Sequence, residues 1–156
     1  MPWLAPSPLD DEDIDVTPES IAKTDRTEGM TATAARALDI FETGARRSCG
    51  TNIVEIVLFG SRARGDARAE SDLDVAVVLN DISDRSTDRN LLADIAYEAI
   101  IETYVDVQSL PISRDEWDHP ERHRNPELIR AIKRDGLIIE SSLWLGKAAR
   151  ISKVAR

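Results

Sequence analysis

The sequence predicts an α/β fold in which helices flank a mixed β-sheet. Three observations carry that expectation. Residues 53–59 and 72–79 are rich in Val, Ile and Leu with little polar alternation, as in strands covered on both faces. Residues 30–47 and 91–103 place apolar side chains at three- and four-residue spacings, the signature of helices that pack one face on a sheet. The twelve residues from Gly60 to Ser71 are too few for a full crossover helix, so the first two strands are joined by a turn holding one or two helical turns at most.

The elements follow in order. Residues 1–28 carry Pro2, Pro6, Pro8 and Pro18 and the self-repelling run DDEDID, and read as a disordered acidic tail. Residues 29–140 read as one domain. Thr31 or Thr33 caps its first helix, and Ala34, Ala37, Leu38, Phe41 and Ala45 form the stripe that faces the sheet. Residues 80–90 read as a polar loop. In the helix over 91–103, Leu91, Leu92, Ile95, Ala96, Ala99 and Ile100 share a face. YVDVQSL, residues 104–110, alternates as a third strand with Asp106 and Gln108 on its polar face. Residues 111–125 read as irregular. Pro126 opens a short helix to Arg134, and residues 137–139 form a last strand. Residues 141–156 read as a basic C-terminal helix or tail, with Lys147, Arg150, Lys153 and Arg156 recurring every three residues.

The 156 residues carry a net charge of −9, which argues against a general nucleic-acid binder. Residues 1–28 account for −6 of this and the remaining 128 residues for −3, so a triphosphate site on the body is compatible with the charge. The single cysteine, Cys49, excludes an intramolecular disulfide and a thiolate zinc site. No apolar run approaches the ~20 residues of a membrane span, and the N-terminus lacks a secretory pattern, so the expected location is the cytoplasm.

The chemistry concentrates in residues 54–79, VEIVLFGSRARGDARAESDLDVAVVL. Asp72 and Asp74 are two apart on a strand and leave the same face. Two carboxylates so placed repel each other unless a cation lies between them, and hard oxygens suit Mg2+. Asp106 supplies a third carboxylate from the neighbouring strand. Three carboxylates from two strands are what a two-metal phosphoryl-transfer site requires. Gly60 lets backbone approach a phosphate, Ser61 adds a hydroxyl and a helical turn of amides, and Arg62 and Arg64 offer forked donors. Taken singly, Gly-Ser is a common turn and Asp-x-Asp a common solvated strand start. The order strand, Gly-Ser, ten residues, Asp-x-Asp, strand is much harder to obtain by chance.

FGSRARGDARAESDLDVAVV resembles the signature of the DNA polymerase β-like nucleotidyltransferase superfamily, and GSRARG followed by SDLDVAV is similar to its minimal nucleotidyltransferase (MNT) group, the antitoxins of HEPN–MNT toxin–antitoxin pairs. The resemblance implies the polymerase β-like palm fold and Mg2+-dependent use of ATP. It implies transfer of AMP to a tyrosine of a HEPN toxin partner. By motif match, Gly60 and Ser61 hold the triphosphate and Asp72 and Asp74 the metals. Asp106 takes the third-carboxylate role by strand order. The acidic N-terminus and basic C-terminus depart from the family pattern.

Other residues are weighed and set aside. Arg114 to His119 matches the R-x(4)-H of HEPN ribonucleases but lacks the following tyrosine. His119 and His123 are four apart, but Pro120 breaks any helix that would pair them on zinc. Trp117, Trp144, Tyr97 and Tyr104 read as packing residues, and Cys49 as a structural thiol. Two rival functions stand beside protein adenylylation. One is transfer to a small molecule such as an aminoglycoside, for which ~45 residues after Asp106 leave little room as an added domain. The other is an antitoxin acting by contact alone. Autoregulation with a toxin on DNA ranks lower, given the charge.

Overall fold

Thr31 caps helix α1, Ala32–Cys49: its hydroxyl oxygen accepts from the Ala34 N–H at 3.0 Å. The computed structural model describes residues 30–141 and 150–154. The expected tail over 1–28 lies outside the described residues, as do residues 142–149, Trp144 among them. Strand β1 (Ile53–Phe59) leads through a single helical turn, α2 (Ser61–Arg64), into β2 (Leu73–Leu79). Helix α3 (Arg85–Thr103) crosses to β3 (Val107–Ser113). The short α4 (Arg114–Asp118), α5 (Pro126–Asp135), β4 (Leu137–Ser141) and β5 (Arg150–Lys153) complete the order.

The five strands among the described residues form one mixed sheet in the order β3-β2-β1-β4-β5. β1 is antiparallel to both β2 and β4, β4 is antiparallel to β5, and β2 and β3 are parallel. The parallel pair is joined by α3, a crossover of the length such pairs need. One face of the sheet, with Ile56, Leu58, Leu73, Val75 and Val77, packs on Leu38 and Phe41 of α1 and Leu92 and Ile95 of α3. The opposite face, with Val57, Ala76, Val78 and Ile112, packs on Trp117 of α4 and Ile129 and Ile132 of α5. Both faces are thus covered, as the unbroken apolar strands require. No helix among the described residues is long and apolar enough to cross a membrane.

Several boundaries differ from expectation. α3 begins at Arg85 rather than Leu91, because Asp84 caps it by accepting from the Ser86 N–H at 3.2 Å; a capping signal lies inside the polar stretch. The third strand begins at Val107 rather than Tyr104. The helix closes on Tyr104, in the left-handed conformation at φ 62°, whose N–H donates to Ile100 O. The strand then runs on through Pro111, which an edge strand tolerates. Residues 114–118 are helical rather than irregular, held by a reciprocal capping box between Ser113 and Glu116. At the C-terminus, Arg150–Lys153 is a strand and not part of a helix; its backbone pairs with β4, which would otherwise be an open edge. Tyr97 and Tyr104 do not pack inward: they are 61% and 90% exposed.

Candidate active site

The turn after β1 is built around two glycines. Gly60 sits at φ 77° and Gly65 at φ 88°, both in the region that favours glycine. Between them the Ala63 and Arg64 N–H groups donate to Gly60 O, and the Gly65 and Asp66 N–H groups to Ser61 O, closing one compact turn. Gly60 also makes room for a neighbour: a methyl group on its α-carbon would overlap Asp74 Oδ2. The phosphate-turn candidate and the carboxylate candidate are therefore in direct contact across the β1–β2 pair, where Phe59 pairs with Asp74.

Asp72, Asp74 and Asp106 lie at the same end of the parallel pair. Leu73 N–H donates to Asp106 O at 2.9 Å, and Leu73 pairs with Val107, so Asp72 and Asp106 each immediately precede the first paired residue of their strands. Burial pushes the Asp74 carboxyl up, and the negative charges of Asp72 and Asp106 push it further, against a smaller pull from Arg64. Negative charge has been concentrated here at a cost to the fold.

The arginines divide. Arg64 is exposed, stands 3.4 Å from Asp66, and lines a cleft of about 220 Å³ together with Gly60, Phe59, Leu128, Ile132 and Asp135. Arg62 is 1% exposed. Its Nη2 donates to Ser71 O at 2.8 Å and to Ala69 O at 3.2 Å, bracing the far side of the turn. Burial lowers its pKa, and the Asp72 charge opposes that shift. The expected phosphate fork at Arg62 is thus corrected: the guanidinium is a strut that fixes the approach to Asp72. Ser61 remains half-buried at the head of α2.

The donor set fits a hard divalent cation. Among the described residues no three carboxylate, imidazole or thiol groups stand close enough to cage an ion, and Asp106 Oδ2 accepts from Gln108 Nε2 at 2.6 Å. Mg2+ takes one or two carboxylates and completes its shell with substrate phosphates and water, so this half-open set suits it better than a closed cage would. A half-buried carboxyl raised by desolvation and further by two like charges is the complementary observation, because a cation would relieve it.

Two contributors were not legible in the sequence. Gln108 holds Asp106; its alternation on the strand marked it as polar but gave it no task. The cleft wall from α5, Leu128 and Ile132, comes from more than fifty residues downstream, where the only signal is ordinary helical periodicity. Trp117 is buried with Lys133 Nζ 5.0 Å from its ring centre, as a packing residue. Burial and Asp88 push the Cys49 thiol up, the opposite of nucleophile activation.

Residues 46–120 match the family model described as polymerase beta, nucleotidyltransferase. A Methanocaldococcus jannaschii protein named "Putative protein adenylyltransferase" is 28% identical over 121 residues, covering 76% of this chain and 81% of that one. Among solved structures, one described as a toxin-antitoxin with AMP-PNP shares 20% identity over 64% of this chain and 70% of its own, with a TM-score of 0.45. A provisionally assigned nucleotidyltransferase from Sulfolobus solfataricus shares 19% over 72% and 86%, with a TM-score of 0.42.

Proposed function

We propose that the match to the polymerase beta, nucleotidyltransferase model over residues 46–120 marks a nucleotidyltransferase domain, and that the chain transfers AMP from ATP to a tyrosine hydroxyl of a partner protein, a HEPN-type toxin that it thereby neutralises in the cytoplasm. The observation that carries the reading is the contact between Gly60 and Asp74, which sets the phosphate turn against the carboxylate cluster. The relative named for protein adenylylation supports a protein acceptor, and the GSRARG–SDLDVAV resemblance supports the toxin.

In this mechanism the Gly60–Ser61 turn and Arg64 seat the triphosphate. The acceptor oxygen attacks the α-phosphorus and a new O–P bond forms. The bond from the α-phosphorus to the α,β-bridging oxygen breaks, and pyrophosphate leaves with that electron pair. The hydroxyl proton passes to a carboxylate, with Asp106 in that role, oriented by Gln108. Asp72, Asp74 and Asp106 would hold Mg2+, which when bound supplies charge neutralisation for the phosphates and acidifies the hydroxyl. Arg62 fixes the backbone ahead of Asp72 and keeps the turn from opening.

Incubation with α-labelled ATP, Mg2+ and the product of the neighbouring reading frame tests the proposal. Label should appear on a tyrosine of that partner and disappear in the Asp72→Asn/Asp74→Asn variant. Neutralisation that survives intact in that variant would move the biological role to contact alone. No Mg2+-dependent labelling of any protein would overturn the reading.

A further inference from the structure

A second cavity lies on the same face of the sheet as the carboxylates, and its chemistry is the reverse of theirs. It measures about 340 Å³ and is walled by Arg85 and Arg89 of α3, residues 122–125 ahead of α5, and the Leu110–Pro111 segment of β3. Leu128 lines both this cavity and the Gly60–Arg64 cleft, so the two are neighbours on either side of one side chain. In a chain of net charge −9, four arginines face one glutamate here.

The cations have different duties. Arg85 is committed: its Nη2 donates to both oxygens of Glu116 at 2.9 Å and its Nη1 to Pro111 O at 3.2 Å. Arg122 pairs with Asp115. Arg89 and Arg124 are exposed and have no hydrogen-bond or ion-pair partner among the described residues. His123 also lines the cavity; it is 8% exposed, and its Nδ1 is held by the Asn125 backbone, 2.9 Å from the N–H nitrogen and 3.1 Å from the carbonyl oxygen. The N-terminal ends of α3 and α5 both reach this wall, and their dipoles favour negative charge.

We infer that this cavity is a docking subsite for an acidic stretch of the protein acceptor, seated on Arg89, Arg124 and His123 while the acceptor hydroxyl enters the cleft beyond Leu128. The inference rests on the adenylylation reading for its purpose. Two uncommitted arginines on separate elements suit an extended anionic chain better than a compact anion. The triphosphate has its own turn on the other side of Leu128.

Binding of a fluorescein-labelled six-glutamate peptide ending in tyrosine, followed by anisotropy on the full chain, tests the site without requiring catalysis. Arg89→Ala/Arg124→Ala should weaken binding by at least about tenfold, with an unchanged melting temperature. Asp74→Asn should bind the peptide as the parent does, whether or not transfer takes place, which separates this inference from the proposed activity. In transfer assays with that peptide, the double variant should raise the peptide KM and leave the ATP KM unaltered. Equal binding by the double variant, equal binding of a six-glutamine control, or competitive displacement by pyrophosphate at lower concentration than the peptide would each overturn the docking role; the last would show a free-anion site instead.

Discussion

The carboxylate of Asp74 fills the space over the α-carbon of Gly60. Each residue therefore constrains the other, and Gly60→Ala adds both an overlap with Asp74 Oδ2 and a side chain at φ 77°. The variant should lose about 1–3 kcal/mol of stability from the strained backbone. Displacing Asp74 should cost at least ~100-fold in kcat/KM for transfer. Thermal melts and labelled-ATP assays on the same preparation check both.

Asp74 should show stability traded for function. Its folded pKa is raised by burial and by Asp72 and Asp106, so the ionised form weighs against the fold. For a raised carboxyl, the folded state holds its proton more tightly than the unfolded chain, and stability falls as pH rises from the ordinary value of 3.8 through the raised one. Asp74→Asn removes that loss. The variant should melt higher than the parent at pH 7.5 in the absence of divalent cation, with the advantage shrinking as pH falls toward 3.8, while transfer is abolished. A variant that melts lower at pH 7.5 would contradict the electrostatic account.

Arg62 should behave as a structural residue despite its place in the motif. Arg62→Met leaves the carbonyls of Ala69 and Ser71 without their donor and should cost about 2–3 kcal/mol. Because the strut holds the approach to Asp72, kcat should fall more than the ATP KM rises. A variant with normal stability and a selectively raised ATP KM would restore the phosphate-binding role.

On α1, Glu42 is fully buried and accepts from Arg46 Nε at 2.7 Å, while Arg46 Nη2 donates to Ile139 O at 2.9 Å, tying α1 to β4. Burial raises the Glu42 carboxyl and Arg46 offsets this in part. Arg46→Met should destabilise by about 2–3 kcal/mol, discounted for the solvent reaching the arginine. The loss should be larger at pH 7 than at pH 4, where protonation of Glu42 relieves the stranded charge. Urea unfolding at the two pH values measures the difference.

The parts legible in the sequence were those encoded by neighbours. The first two strands and the Gly60–Ser61 and Asp72–Asp74 pairs each announce themselves over ten residues or fewer, and the first helix over eighteen. Alternation singled out Asp106 as a candidate; its strand begins one residue later, and Gln108 donates to its carboxylate. Arg62 was misread because burial is a tertiary property: next to a glycine-rich turn, an arginine facing a phosphate and an arginine facing two carbonyls have the same local sequence. The strand at Arg150–Lys153 was hidden for a similar reason, since its backbone pairs with β4 while its basic residues follow a helical spacing.

Pro111 on β3 has a consequence for how partners can approach. A residue's N–H and C=O leave a strand on the same side, so the missing N–H of Pro111 and its carbonyl, taken by Arg85, both belong to the outer edge. Two residues on, the Ser113 N–H donates to Glu116 Oε2 at 3.0 Å. Of the alternate positions that face outward, only Val107 and Ser109 keep their backbone groups for a visitor. That is too short a template for a sixth strand. A partner meeting this side of the molecule has to be recognised through side chains, by charge and shape, and cannot zip onto the sheet by backbone pairing.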